Sequence, residues 1–284
     1  MFHAARSVCC MAMIMLCACG PDTSGQSAQE AGLTRTVLTA SDRWTITGLR
    51  SATTENLRAI ALFIHGTPGS ADAWVDTLSR APKNILGIAL DRPGFGNTKP
   101  NDAVVDLRSQ ADAVIAAAQS IRTDQGGATV PIFLIGHSYG GPVAVAAGLQ
   151  RPDLFSGLIL VAAALDPGME KVHFMQRLAT WQPFKTLIGH TLRTSNAELI
   201  ALKDELMTLQ SKLGDLAVPI YILHGTKDTL VPIDNVPFMT AHFPSKMVCE
   251  TQVLEGQNHF LPWNETDRIW AQINAATGMS GKQC

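Results

Sequence analysis

Short apolar runs separated by polar turns recur along most of this 284-residue chain. Eight of the runs have the length and the branched side chains of strands. Most of them are apolar at successive positions, which is typical of parallel strands buried on both faces. The predicted strands span residues 37–39, 44–49, 59–64, 85–90, 132–135, 158–161, 220–223 and 246–254.

Helical patterns lie between these runs, with apolar residues recurring every three or four positions. The predicted helices span residues 71–79, 103–122, 142–150 and about 264–276. Strands that alternate with helices predict an α/β fold, in which a mostly parallel, doubly wound sheet of eight strands carries helices on both faces.

The connection after the sixth strand is longer than the others. Residues 167–215 have no strand pattern and at least two helical candidates, and a capping box of Ser195 and Glu198 is expected to open the second helix. One face of that helix carries a row of leucines: Leu199, Leu202, Leu206, Leu209 and Leu213. Because an insertion of this size between two strands is usually functional, we expect a small helical cap at about 168–215.

The first nineteen residues have the pattern of a targeting segment. Arg6 precedes an apolar stretch, residues 8–16, that is too short to span a membrane. The four residues that follow, LCAC at 16–19, resemble the lipobox of bacterial lipoproteins. The resemblance implies cleavage before Cys19 and lipidation of that cysteine, and the alternative is an ordinary signal peptide.

These features predict three segments: a signal peptide at 1–18, a lipidated cysteine with a flexible tether at 19–32, and a folded domain at 33–284. The expected location is the bacterial cell envelope, with the domain in the periplasm or at the cell surface and with no contact to the membrane beyond the lipid. The residue after the cysteine is Gly20 rather than Asp, which by the lipoprotein sorting rule favours the outer membrane.

Composition and charge narrow the classes of partner. The chain is 46% hydrophobic and 16% charged, with a formal net charge of −2. It has no basic stripe interleaved with aromatic residues, so binding to nucleic acid is not expected. Outside the N-terminal segment the only cysteines are Cys249 and Cys284, and the sequence leaves open whether they pair.

The run that ends at Ile135 is followed by GHSYG, residues 136–140, and then by a helical pattern. This matches G-x-S-x-G in the context of a sharp strand-to-helix turn, which places the hydroxyl of Ser138 above the sheet. A serine hydroxyl is a weak nucleophile, and it needs an adjacent base that a third group orients.

Candidates for these two groups follow the last strands. His259 lies in the loop after the eighth strand, where an imidazole can reach back over the sheet, and Asp228 lies in the loop after the seventh. Asp166, directly after the sixth strand, is a competitor for the acid. We favour Asp228, because the Pro167 and Gly168 that follow Asp166 explain that residue as a turn into the cap.

A negatively charged tetrahedral intermediate needs two N–H donors. The backbone of Tyr139, at the start of a helix, is one candidate, and Thr67 in the HGTPG loop after the third strand is the other, since Pro68 has no N–H. No histidine pair has ligand spacing on a helix and no cysteine cluster follows the leader, so no metal site is expected.

Taken together, HGTPG, DRPGFGNT (91–98), GHSYGG, HGTKD and GQNHF resemble blocks of the α/β-hydrolase superfamily in the same order, from about residue 33 to the end. The resemblance implies a serine hydrolase without a cofactor, with Ser138, Asp228 and His259 as nucleophile, acid and base. Haloalkane dehalogenases and epoxide hydrolases of this superfamily use an aspartate where this chain has Ser138, so their reactions are not expected.

The expected function is hydrolysis of a small-molecule carboxylic ester or acyl substrate through an acyl-enzyme. An amidase or peptidase, a C–C bond hydrolase and a perhydrolase share the same triad, and a non-catalytic binding protein is the alternative outside this class. Phe95, Phe174 and Trp181 are candidates for lining an acyl pocket, and packing of the cap against the core is the alternative for each.

Overall fold

The structure, a computed structural model, describes residues 27–52, 56–125, 130–170 and 188–278. Three predicted site residues, Cys19, Phe174 and Trp181, lie outside the described residues. So does Cys284. Cys249 forms a disulfide whose partner also lies outside them, so its pairing with Cys284 stays a prediction.

Eight described strands form one sheet in the order β1-β2-β4-β3-β5-β6-β7-β8. The strands are β1 (Thr34–Ala40), β2 (Thr45–Arg50), β3 (Ala59–Ile64), β4 (Ile85–Leu90), β5 (Ile132–His137), β6 (Gly157–Val161), β7 (Ile220–Gly225) and β8 (Val248–Leu254). β2 is antiparallel to both of its neighbours, and all pairs from β4 to β8 are parallel. The predicted fold class is therefore confirmed.

Seven α-helices lie in the described residues. They are α1 (Val75–Ser79), α2 (Leu107–Asp124), α3 (Gly140–Gln150), α4 (His190–Gln210), α5 (Asn235–His242), α6 (Leu261–Asn264) and α7 (Thr266–Gly278). Helix α5 was not predicted from the sequence; it is two turns long, contains Pro237 and buries only Asn235, Val236 and Met239. So short a segment has no clear helical period.

Both faces of the sheet are covered. Every residue of β3 and β5 is buried, and successive side chains point to opposite faces. On one face Leu62 belongs to a core with α2, α3 and α4, and on the other Phe63 packs against Trp74 and Trp270. This two-sided burial is the reason that the central strands are apolar at successive positions.

Helix α4 differs from its prediction at its start. It begins at His190, after Gly189, so Ser195 lies inside the helix and donates its hydroxyl to the Thr191 carbonyl at 2.9 Å. The predicted capping box is wrong, and Glu198 bonds to another element instead. The leucine row is buried as expected at Leu202, Leu206, Leu209 and Leu213.

The boundaries of the leader, the tether and the cap stay predictions. Of the predicted cap, the structure describes residues 168–170 and the part from residue 188 onward, which is dominated by α4. None of the described helices is long and apolar enough to cross a bilayer.

Candidate active site

Ser138 occupies a tight turn between β5 and α3. Its φ is +54°, a left-handed conformation that is costly for a residue with a side chain. The turn is held because the Ser138 N–H donates to the Val161 carbonyl at 3.1 Å and its carbonyl accepts from Gly141 at 2.9 Å. A Cβ on Gly136 would collide with the Gly140 carbonyl oxygen, so the motif needs glycine there.

His259 and Asp228 meet above the ends of β7 and β8. His259 Nδ1 lies 2.7 Å from Asp228 Oδ2, and the Asp228 side chain is fully buried. The other carboxylate oxygen accepts the N–H groups of Leu230 at 3.0 Å and Val231 at 2.8 Å. Because a carboxylate only accepts, the Nδ1 of His259 carries the proton, and its Nε2 is left for another partner.

The second candidate acid, Asp166, is placed differently. Its Oδ1 accepts the Gly168 N–H at 2.7 Å, and its own N–H donates to Asn235 Oδ1 at 2.8 Å. Among the described residues it makes no hydrogen bond to an imidazole. The structure therefore brings Asp228, and not Asp166, to His259.

Two further histidines, His224 and His137, lie beside the Asp228–His259 pair. Burial lowers the pKa of His224, whose Nε2 lies 2.9 Å from the Val231 carbonyl and 3.6 Å from Asp228 Oδ2. Burial, together with the neighbouring His259, holds the pKa of His137 well below its usual range, so His137 is neutral.

His137 connects the two halves of the site. Its Nε2 donates to the His259 carbonyl at 3.0 Å, and the two rings lie 4.8 Å apart. The loop that carries His259 is thus held against the residue next to Ser138. Nothing in the sequence around His137 indicates this partner, which lies 122 positions away.

The two predicted N–H donors flank the Ser138 turn. Tyr139 is the first residue before α3, and its ring is buried, which raises the pKa of its phenol well above the usual value. The HGTPG loop abuts Ser138 so closely that a Cβ on Gly66 would lie 2.9 Å from the serine Cβ. Within the described part of the chain, neither the Thr67 nor the Tyr139 N–H has a hydrogen-bond acceptor.

Phe95 is 2% exposed, so its side chain offers almost no surface to a ligand in this conformation. Its ring lies edge-on to His65 at 5.3 Å and against the Arg92 guanidinium at 4.8 Å. Phe95 packs beneath the HGTPG loop, and its contact with substrate stays a prediction.

The sequence of this chain was compared with models of protein families. A family model described as the alpha/beta hydrolase family matches residues 61–272, which is most of the chain. The chain belongs to the alpha/beta hydrolase family. The match spans both candidate donor residues, the Ser138 turn and the Asp228–His259 pair.

Two mammalian lipases are similar to this chain in sequence. It is 27% identical to the human monoacylglycerol lipase ABHD6 over 175 residues, covering 61% of this chain and 50% of that protein. It is 30% identical to the mouse monoglyceride lipase over 125 residues, covering 43% and 40%. The chain thus spans half or less of the length of these relatives.

Solved structures of low identity share the fold. The monoacylglycerol lipase of Paleococcus ferrophilus superposes with a TM-score of 0.62 at 18% identity, covering 87% of this chain and 99% of that chain. A bacterial membrane phospholipase A superposes with a TM-score of 0.65 at 20% identity, covering 87% of each chain. At these identities the likeness concerns the fold alone.

Proposed function

We propose that the protein is a serine hydrolase that cleaves a carboxylic ester through an acyl-enzyme. The observation that carries the proposal is the 2.7 Å contact between His259 Nδ1 and Asp228 Oδ2, on a loop that His137 holds beside Ser138. A nucleophile, a base with its reactive nitrogen free and a buried orienting carboxylate are the three parts that acyl transfer requires.

In the proposed reaction His259 Nε2 takes the Ser138 proton while Oγ bonds to the acyl carbon. The carbonyl oxygen becomes an oxyanion that the N–H groups of Thr67 and Tyr139 stabilise, and the α3 dipole favours the same charge. Collapse of the intermediate breaks the C–O bond, and His259 returns the proton to the departing alcohol. A water molecule, deprotonated by His259 Nε2, then attacks the acyl carbon. As this second intermediate collapses, the bond to Ser138 Oγ breaks, His259 returns the proton to Oγ and the acid leaves.

The substrate class rests on the relatives. The names of the human and mouse relatives are those of lipases of monoacylglycerol or monoglyceride, which are carboxylic esters. This supports a small-molecule ester over an amide or a C–C bond as the substrate, although the same residues can serve all three.

For location, we propose a lipid-anchored protein of the bacterial envelope, with the outer membrane favoured and the folded domain in the periplasm or at the cell surface. The support is the order of Arg6, the apolar stretch and the LCAC sequence that ends at Cys19.

A fluorophosphonate probe tests the nucleophile. We expect the purified domain to be labelled covalently on Ser138 and to hydrolyse p-nitrophenyl esters faster than aminoacyl anilides. Ser138→Ala should lose both labelling and turnover, while Ser79→Ala, at an exposed serine of α1, should lose neither. Labelling that survives Ser138→Ala would exclude Ser138 as the nucleophile, and faster cleavage of anilides would make the protein an amidase.

A further inference from the structure

Arg92 and Glu198 form an ion pair in which neither side chain is exposed to solvent. Arg92 follows β4, and Glu198 lies on α4. Their contacts are bidentate, with Arg92 Nη1 2.5 Å from Glu198 Oε1 and Nη2 3.1 Å from Oε2. Gln110 of α2 donates to the same Oε1 at 3.0 Å.

A buried ion pair is expensive to desolvate and is weak evidence of a contribution to stability. The Arg92–Glu198 pair is therefore better explained by a role other than stability, and the remaining contacts of Arg92 indicate that role. Its Nε donates to the His65 carbonyl and its Nη2 to the Gly66 carbonyl, both at 3.0 Å. The guanidinium also lies 4.7 Å from the centre of the Tyr139 ring.

The Gly66 carbonyl oxygen receives a second donor. His65 Nδ1 lies 2.7 Å from this oxygen, while His65 Nε2 accepts the backbone N–H of Arg92 at 3.1 Å. These roles require a neutral imidazole with its proton on Nδ1. Burial and the charge of Arg92 hold the pKa of His65 well below its usual range, which agrees with that assignment.

The peptide bond between Gly66 and Thr67 is trans, so its C=O and N–H point to opposite sides. Holding the Gly66 oxygen toward Arg92 therefore directs the Thr67 N–H away from Arg92. Two donors on that oxygen also polarise the peptide group, which strengthens the N–H as a donor.

We propose that Arg92 and Glu198 are positioning residues for the oxyanion hole. Glu198, on the cap helix α4, holds the Arg92 guanidinium, and Arg92 holds the Gly66 carbonyl so that the Thr67 N–H meets the oxyanion. The inference rests on the proposed function. In this proposal, the direction of the Thr67 N–H depends on the position of α4, which carries Glu198.

A purely structural ion pair and a positioning pair respond differently to replacement by apolar residues. In the double variant Arg92→Met/Glu198→Leu no charge is left unpaired, so the protein should fold, with its melting temperature lowered only by the loss of the Arg92 hydrogen bonds to the His65 and Gly66 carbonyls. A structural pair would then leave turnover unchanged. A positioning pair would not, because the Gly66 carbonyl would lose the Arg92 donor and keep only the bond from His65 Nδ1.

We expect the double variant to lose about 10²-fold in kcat, the loss that follows removal of one oxyanion donor, with KM within about threefold. Affinity for a trifluoromethyl ketone, which forms an oxyanion on Ser138, should fall in parallel. Active sites are titrated with the fluorophosphonate probe, so that kcat refers to folded enzyme. Glu198→Gln, which removes one charge and keeps the side-chain volume, should lose at least about tenfold in kcat and carries the test if the double variant does not fold.

Glu205→Gln is the matched control. Glu205 lies two turns further along α4 and accepts the Leu107 N–H at 2.9 Å, so it anchors the same helix without touching the HGTPG loop. Its kcat and ketone affinity should stay at wild-type values. Wild-type kcat and ketone affinity in the double variant, or a change in KM alone, would overturn the inference. If wild-type protein neither reacts with the probe nor hydrolyses esters, the proposed function fails first and the inference with it.

Discussion

Ser138 has a backbone conformation that few residues with a side chain adopt. Glycines on both sides of it leave the space that this conformation needs. A Cβ on Gly140 would collide with the Ile64 carbonyl oxygen, and one on Gly66 would press on Ser138 itself. These are contacts with backbone or with the turn, which cannot rotate away as a flexible side chain does. The glycines therefore let the end of β3 approach the serine closely.

Replacement of Asp228 tests its proposed role as the acid of the triad. Asp228→Asn can still accept the N–H groups of Leu230 and Val231 through its remaining oxygen, so the loop should keep its shape. His259 would lose the acceptor that fixes its tautomer, and kcat should fall about 10³- to 10⁴-fold.

Asp166→Asn serves as the matched variant, because within the described residues the hydrogen bond that the Asp166 side chain makes is with the Gly168 N–H of its own turn. Its kcat should change by less than about tenfold, which corresponds to about 1.4 kcal/mol. Circular dichroism checks that both variants are folded. A large loss in Asp166→Asn together with near-normal turnover in Asp228→Asn would move the acid to Asp166.

The sequence predicts the parts of the site whose constraints are local. The Ser138 turn follows from two glycines within five residues, and its φ of +54° agrees with the strained turn expected there. The choice of Asp228 over Asp166 rested on the turn residues that follow Asp166, and the structure brings Asp228 to His259. Arg92 lies in the DRPGFGNT motif, but nothing in the sequence indicates a role for it, because its partner Glu198 lies 106 positions away.

At the scale of elements, the strands were predictable to within a few residues because the sheet is buried on both faces. β3 and β4 have the predicted bounds, and β5 extends two residues further, to His137. Short apolar runs that are bounded by turn residues and rich in branched side chains are typical of strands buried on both faces.

The helices were less predictable, for two physical reasons. The start of α4 was expected at a capping box, but Glu198 bonds to Arg92 of another element and Ser195 bonds within the helix. Long-range pairing thus overrode a local signal. Helix α5 is too short to show a period, yet its Asn235 accepts the N–H groups of Leu165 and Asp166 at 2.7 and 2.8 Å and so holds the loop that follows β6.

At the scale of the whole molecule, the proposed lipid anchor is tested in a bacterium that expresses the chain with its leader. The protein should partition into detergent and incorporate labelled palmitate, because the LCAC pattern directs acylation to Cys19. Cys19→Ser should abolish incorporation, and Cys249→Ser provides a control at a cysteine of the folded domain. Release of the wild-type protein in soluble form would leave only an ordinary signal peptide.

The stability of the fold should depend on pH through buried groups. His65, His137 and His224 have a pKa below the usual 6.5 because burial disfavours their charged form. In the unfolded chain they protonate near pH 6.5, so the unfolded state binds more protons than the folded state below that pH. The stability that they contribute is complete above pH 6.5 and is lost as the pH falls.

Two carboxyl groups act in the opposite direction. Burial and the neighbouring Asp166 raise the pKa of Glu170 to about 7, and burial raises that of Glu198, which Arg92 opposes. The folded state therefore takes up their protons first as the pH falls, which stabilises it. As the pH falls below 6.5, three histidines bind protons preferentially in the unfolded state and at most two carboxyls do so in the folded state. Unfolding is therefore accompanied by a net uptake of protons.

We accordingly expect the free energy of unfolding, measured by urea titration, to fall between pH 6.5 and 5.5, by about 1.4 kcal/mol per pH unit for each net proton taken up on unfolding. Glu170→Gln removes one opposing group, so its decline between these pH values should be steeper than that of the wild type. The same variant should gain stability at pH 8, where wild-type Glu170 is charged in a partly buried place. A wild-type stability that is flat or rises on acidification would show that these histidines are not held neutral by burial.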